Sequence, residues 1–470
     1  MTKPILMWHR RDLRLSDNPA LHWAAEQGRP VIPVFLLDEV VESWGAAPRW
    51  RLGEGLRVFG EALQDAGSRL ILRRGEALEE LRALIEETGA DTVVWNRLYT
   101  ADERERDEGV KSNLKEQGIT AESFHGHVLF EPWTVETGSG SYYKVYTPFW
   151  KAVRDRDVPD TLAMPDLTAP SDWPASDKLE DWALAADMRR GAEIVARHAS
   201  VGEAAARGRL GAFVGSKIAD YNDARDMLAE DGTSKLSQNL TLGEISARTC
   251  WHAAQRAKED GKPGAETFLQ ELVWRDFAHH LAFHTPRLTH ANWREEWDSF
   301  PWRNDNDDAE TWRRARTGVE VVDAAMREIY VTGTMHNRAR MLVASYLTKH
   351  LMTHWRVGCD WFADVLIDWD PASNAMGWQW AAGSGPDASP FFRVFNPATQ
   401  AEKFDPKGQY RRRWVAELGG KGDDAMAWFD AIPESWEQSP DQEYPKEPIV
   451  GLKEGRERAL EAYKGRDAAE

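Results

Sequence analysis

The chain has 470 residues, 42% hydrophobic and 29% charged, the balance of a soluble globular protein with room for two or three domains. It lacks a bilayer-length apolar run and a secretory signal, and its two cysteines, Cys250 and Cys359, exclude a disulfide framework or multi-cysteine metal centre, so a reduced, cytoplasmic protein is expected. The net charge of −18 weighs against nucleic acid unless basic residues cluster, and 23 tryptophans are more than a core needs, since Leu and Val fill cores more simply.

The first 130 residues alternate short apolar runs with helical stretches. PILMWH (4–9), PVIPVFLLD (30–38), SRLILRRG (68–75) and DTVVWNRLY (91–99) predict buried parallel strands. Residues 18–28 and 47–67 carry helical periodicity between them. The β-α-β-α pattern predicts a doubly wound parallel-sheet domain over 1–131. The glycines of GEGLRVFG (53–60) lack dinucleotide-fingerprint spacing and lie inside a helical pattern. Residues 132–199 read as an interdomain linker: TGSGSYY is flexible, and 157–177 is rich in Pro, Asp and Ser. Over 200–470 strand signals nearly vanish and an all-helical domain is expected, with the last twenty residues a solvated tail. No repeat of fixed period is present.

Four stretches of the helical half carry chemistry. DGTSKLSQNLTLGEIS (231–246) offers hydroxyl and amide donors just before a helix, which fits either a capped helix start or an anion such as a diphosphate. In FLQELVWRDFAHH (268–280), Glu271, Trp274 and Arg275 share one helical face, as a buried ion pair beside a core indole or as a pocket for a flat polar ligand. In TMHNRARML (334–342), Asn337, Arg340 and Met341 do the same; Asn can hydrogen-bond a heterocycle edge and Met packs adaptably on rings. LIDWDPASNAMGWQWAAGSG (366–385) mixes two aspartates, an asparagine and three tryptophans. No metal-ligand spacing and no Ser-His-Asp or Cys-His arrangement stands out, so recognition of aromatic polar rings is expected rather than hydrolysis. Between 391 and 413, Arg393, Lys403, Lys407, Arg411, Arg412 and Arg413 face Glu402 and Asp405, a local +4 that is either a basic surface or a solvated helix start.

Taken together and in order, WHRRDLRLSDNPAL, DGTSKLS, ELVWRDF, RTGVEVVDAAMRE, MHNRARM, LIDWD, NAMGWQWAAGSG and FNPATQAEKFD resemble the photolyase/cryptochrome family over nearly the whole chain. The resemblance implies flavin adenine dinucleotide (FAD) in the helical domain. It assigns Tyr221, Thr233, Ser234, Lys235, Leu236 and Ser237 to the diphosphate and its surroundings, with Phe268 and Arg275 also lining the cofactor. It pairs Arg340 with Asp368 beside the flavin, puts Asp370 at the ring's polar edge, and has Asn374 face flavin N5. Plant-type cryptochromes typically carry Asp at that last place, so Asn374 argues for an enzyme.

Within the family, Glu271, Trp274, Asn337, Met341 and Trp380 are similar to the pocket of cyclobutane pyrimidine dimer enzymes. The resemblance has Trp274 and Trp380 pack on the flipped-out lesion and Glu271 and Asn337 bond its edges. Arg225, Arg338 and Arg393 would hold the strand. The implied reaction is light-driven: reduced, excited FAD gives one electron to the dimer, the ring splits and the electron returns. Trp378, Trp355 and Trp302 would form the chain that reduces the flavin, and Trp369 is expected to be core. An antenna chromophore is implied in 1–131, with Asp102 and Glu103 as its contacts. Methenyltetrahydrofolate is favoured and 8-hydroxydeazaflavin is the alternative, since Asp102 stands where folate enzymes carry Asn. Thr334 also departs, standing where many relatives have Trp. The implied partner is ultraviolet-damaged DNA, with no membrane, no protein partner and a monomeric state. The competing readings are a signalling cryptochrome and a (6-4) photolyase; the latter carries a His pair where this chain has His336-Asn337.

Overall fold

The computed structural model describes residues 2–419 and 421–467. Strands β1 (Ile5–His9), β2 (Val31–Leu37), β3 (Ile71–Arg74), β4 (Thr92–Asn96) and β5 (Thr120–Phe124) form one parallel sheet in the order β3-β2-β1-β4-β5. Parallel neighbours need a crossover, and helices Pro19–Glu26, Ala46–Asp65, Ala77–Thr88 and Ala101–Glu116 supply them. β1, β2 and β4 are buried along their whole length, which is why they read as unbroken apolar runs. Ile5 faces Val31 on one side and Thr92 on the other. Pro33 is tolerated because pairing with β3 starts only at Val34. β5, TAESF, was not signalled by any apolar run: it is an edge strand whose first residue is exposed and whose last three are half-buried.

The chain divides into two compact units. The first is Met1–Asp187, Ser200–Ala219 and Ser234–Pro286; the second is Met188–Ala199, Asp220–Thr233 and Arg287–Glu470. The first holds the sheet, whose core joins Leu6, Trp8, Ile32, Val34, Ile71, Leu81, Val93 and Trp95. It also holds the long helix Ala265–His284. The second is helical, packed around Trp312, Met326, Leu347, Trp355, Trp378, Trp414 and Trp428. Much of the tryptophan excess is therefore core, against the expectation drawn from composition: Trp8, Trp95, Trp297, Trp312, Trp355 and Trp428 are all fully buried.

Two local expectations need correction. Residues 157–177 have no regular element, but the linker also holds the helix Tyr146–Val153. The C-terminal stretch is not a solvated tail: Leu452–Asp467 is a helix, with Ala459 fully buried and Tyr463 stacked on Phe391 at 5.2 Å and 13°. Apart from Tyr463, its inner face is made of small residues, so composition does not advertise it. A Cβ on Gly455 would meet the His350 Cα at 3.0 Å, which shows how closely it docks. Among the described residues no helix is long and apolar enough to cross a membrane.

Candidate functional site

The first unit carries part of the expected site on the helix Ala265–His284. Glu271, Trp274 and Arg275 are half-buried on one face, as their spacing predicts. Trp274 lies flat on Tyr146, with ring centroids 3.6 Å apart and planes at 9°. Arg275 donates to the His127 carbonyl at 2.7 Å, and its second guanidinium nitrogen lies 2.9 Å from His127 Nε2. Phe268 is buried against Phe213, centroids 4.8 Å apart. The neighbouring Asp276, which nothing in the sequence singled out, is 2% exposed; its Oδ2 accepts the N–H groups of Leu129 and Phe130, and Oδ1 has no partner. Burial pushes its carboxyl up to about 6 against the pull of Arg275. In the loop before the short helix Ser237–Thr241, Lys235 adopts φ +52°, and its carbonyl accepts from Arg209 at 2.7 Å. Leu236 is buried, while Lys235 and Ser237 are exposed and Ser234 is half-buried. A side chain at φ near +50° is held against an intrinsic preference, which marks this loop as specially shaped.

In the second unit, Tyr221 is buried under the Arg225 guanidinium, 5.6 Å from its ring centroid, and Thr233 is half-buried. Arg340 donates to the Met335 carbonyl at 2.9 Å and to Asp368 Oδ2 at 2.7 Å, so the pair expected from the resemblance is made. Asp368 is 6% exposed, and its Oδ1 has no partner. A buried carboxylate oxygen without a donor is costly, so the geometry suits a ligand that brings one. Asp370 caps the helix Pro371–Ala382, accepting the Ser373 N–H at 2.7 Å. Asn374, one turn on, donates through Nδ2 to the Cys359 carbonyl at 3.0 Å and approaches its Sγ at 3.3 Å. Since a carbonyl only accepts, the amide's orientation is fixed and Oδ1, an acceptor, is what Asn374 presents elsewhere. Burial holds the Cys359 thiol well above its ordinary range, so the contact adds no charge.

Asn337 is exposed at the start of the helix Asn337–Ser345, with Met341 half-buried one turn later. His336 accepts the Arg338 N–H through Nδ1 at 3.1 Å, and burial pulls its imidazole down to about 4, so it is neutral at physiological pH. Arg338 is tied to Asp226 at 2.7 Å and lies over Phe404. Trp380 is half-buried on the helix Pro371–Ala382. Trp378 is buried edge-on to Phe362 at 4.9 Å and Trp312 at 6.1 Å. Gly358 makes room for it: a Cβ there would lie 2.0 Å from the indole. Trp302 and Trp355 are joined by a residue that sequence reading missed. His354 sits 5.1 Å from the Trp302 ring and 5.5 Å from the Trp355 ring. Trp355 donates to Asn292 Oδ1 at 2.8 Å and half-buried Trp302 to the Thr348 carbonyl at 3.1 Å. Trp369 is half-buried against the core of this unit.

The local +4 is partly spent inside the protein. Arg411 pairs with Asp405 and Glu320, and Arg413 with Asp424. Arg393 is exposed, next to Phe392 at 60% exposure, and its carbonyl accepts from the buried Lys349 amine at 3.1 Å. In the sheet domain the two antenna candidates differ. Asp102 is exposed and lines an open cleft of about 480 Å³ with Glu39, Ser43, Glu76, Arg106 and Asn113. Glu103 is 3% exposed and committed to Arg11 at 3.2 Å and the Thr100 hydroxyl at 2.6 Å.

Comparison with known proteins bears on the chain as a whole. A family model described as the FAD binding domain of DNA photolyase matches residues 268–465, and one described as DNA photolyase matches 5–170. The deoxyribodipyrimidine photo-lyase of Agrobacterium fabrum is 45% identical over 470 residues, 98% of each chain. A solved bacterial class III photolyase from Agrobacterium tumefaciens is similar with a TM-score of 0.91 at 43% identity, covering 100% of this chain and 98% of that one. A Synechocystis cryptochrome is similar with a TM-score of 0.85 at 27% identity, covering 98% of this chain and 99% of that one.

Proposed function

Since the chain belongs to the photolyase/cryptochrome family, we propose that it is a light-driven DNA repair enzyme that splits cyclobutane pyrimidine dimers with FAD. The observation that carries the cofactor assignment is the Arg340–Asp368 pair with its spare oxygen: Asp368 Oδ1 is buried and unpartnered, next to a guanidinium that is already oriented. Asp368 and Arg340 would hold the flavin side, Asp370 and Asn374 its polar edge, and Tyr221, Thr233 and the 234–237 loop the diphosphate, with Phe268 and Arg275 lining the cofactor. Bound by these residues in its reduced form, FAD would supply light-driven one-electron chemistry for opening the dimer, the electron being returned at the end. The chain's own work is to bind, orient and exclude water. Asn374 offers a neutral acceptor, since its donor is spent on Cys359. Glu271 and Asn337 would read the pyrimidine edges, with Met341, Trp274 and Trp380 packing on a lesion that has left the helix. Arg225, Arg338 and Arg393 would contact the strand. No general acid is needed. A neutral His336 followed by Asn337 supports the dimer over a (6-4) lesion as substrate.

In this reading Trp302, Trp355 and Trp378 carry electrons to the flavin, and the functional segments are 1–131 for the antenna, 132–199 as linker and 200–470 for FAD and DNA. The cleft lined by Asp102 is the candidate antenna site, for methenyltetrahydrofolate or alternatively 8-hydroxydeazaflavin. The enzyme acts as a monomer.

The test uses purified, chemically reduced protein and an oligonucleotide with one thymine dimer. Recovery of thymine absorbance under blue light, absent in the dark, is expected. No recovery from protein that holds photoreducible flavin would turn the reading to a (6-4) lesion or to signalling. Trp302→Phe should slow photoreduction of oxidised protein at least tenfold and leave repair by pre-reduced protein in place.

A further inference from the structure

The linker was expected to connect and nothing more, yet its helix Tyr146–Val153 begins with a residue that lies against a proposed lesion contact. Tyr146 is buried, and its ring is parallel to the Trp274 indole at 3.6 Å and 9°. The phenol donates to the Gln270 carbonyl at 2.7 Å, one turn before Trp274 on the same helix. Phe277 closes the corner, edge-on to both rings: 5.8 Å and 75° from Trp274, 5.8 Å and 69° from Tyr146. Phe149, on the linker helix, backs Phe277 at 5.2 Å. Trp274 therefore has one face covered and one edge fixed from within its own unit, while the indole stays half-buried.

Two features set this apart from ordinary core packing. Near-superposed, parallel rings are a less favourable arrangement than offset or edge-to-face contacts, so the stack is imposed by the packing of Phe277 and Phe149 around it rather than chosen by the two rings, with the hydroxyl bond an added tether. An indole with one face sealed can also stack a ligand on its other face only. It is a one-sided platform whose orientation is settled before anything binds, and pre-ordering removes a cost that would otherwise fall on binding.

We propose that Tyr146 is a positioning residue for pyrimidine-dimer recognition, which holds Trp274 so that its outer face meets the flipped-out base. The proposal rests on the reading of Trp274 as a lesion contact. The linker helix is then part of the recognition apparatus, and its ring, not its hydroxyl, carries most of the effect.

The test is equilibrium binding of the FAD-loaded full chain, in the dark, to an oligonucleotide with one thymine dimer and to its undamaged twin. Tyr146→Leu keeps an apolar side chain but removes the flat ring. It should lower the preference for damaged DNA at least tenfold, and under light raise KM more than it lowers kcat. Tyr146→Phe keeps the ring and should stay within threefold of wild type. If Tyr146→Leu keeps its preference for the dimer while Trp274→Ala loses it, the positioning role is overturned and the Trp274 reading stands. If Trp274→Ala also keeps the preference, both fall. Should Tyr146→Leu fail to fold, Tyr146→Phe decides: a tenfold loss of preference in that variant contradicts a ring-based role.

Discussion

Asp38 and Glu244, in the first unit, have every carboxylate oxygen occupied. Asp38 accepts from the Val40 and Val41 N–H groups and from Arg106; Glu244 accepts from both terminal nitrogens of Arg51 and from Asn239. Asp368, in the second unit, is also buried but has one oxygen bonded to Arg340 and the other to nothing. Among the described residues the buried carboxylate oxygens without a partner are Asp276 Oδ1 and Asp368 Oδ1, each beside an arginine assigned to FAD. A self-contained network specifies a fold, while a half-satisfied one is held ready for something else. Burial alone does not separate the two kinds; the count of donors does.

The largest effect should come from changing one member of each kind. Asp38→Asn weakens a buried ion pair and should cost about 3 kcal/mol in urea unfolding, with FAD retained. Asp368→Asn should cut the FAD content of purified protein at least tenfold and, in urea unfolding of the FAD-free protein, cost less than Asp38→Asn, because Arg340 is partly exposed and keeps its bond to the Met335 carbonyl. Equal FAD loss in both would erase the distinction. Gly358→Ala comes next. Its methyl would fall 2.0 Å from Trp378 and should cost about 1–3 kcal/mol or move the indole, seen as a lower Tm and altered photoreduction. An unchanged Tm would mean that Trp378 is loosely held. The last effect is seen only as a pH slope and concerns Lys349, a fully buried amine that meets the Arg393 carbonyl and lies over the Phe391 ring. Burial pulls it from 10.5 down to about 7. Between those pH values the unfolded chain keeps the proton and the folded one gives it up, so stability rises with pH by up to about 1.4 kcal/mol per unit from this group. Lys349→Met should flatten that slope between pH 7 and pH 9. A slope unaffected by the substitution would assign it to other groups.

Periodicity found β1, β2 and β4 because strands buried on both faces must be apolar throughout, and β3 from the buried Ile71 and Leu72 that precede its two arginines. It missed β5, which is at the sheet's edge, and the helix Leu452–Asp467, whose docking face is Gly455, Ala459 and Ala462. The i, i+3, i+4 faces of Glu271-Trp274-Arg275 and Asn337-Arg340-Met341 were legible because a helix puts such residues side by side. Arg340 and Asp368 are on different elements, and only the family pattern suggested their pairing. Nothing in the order of residues linked Cys359 to Asn374, His354 to Trp302, or Tyr146 to Trp274.

By itself, then, the sequence determined the α/β and helical halves, the family and the residue types of the site, since local periodicity and ordered motifs survive in one dimension. The tertiary structure decided which of those groups are already satisfied, such as Glu103, and which keep an atom in reserve, such as Asp368. It also decided that much of the tryptophan is core. Hydrogen-bond satisfaction and burial depend on neighbours far away along the chain, and no local pattern records them.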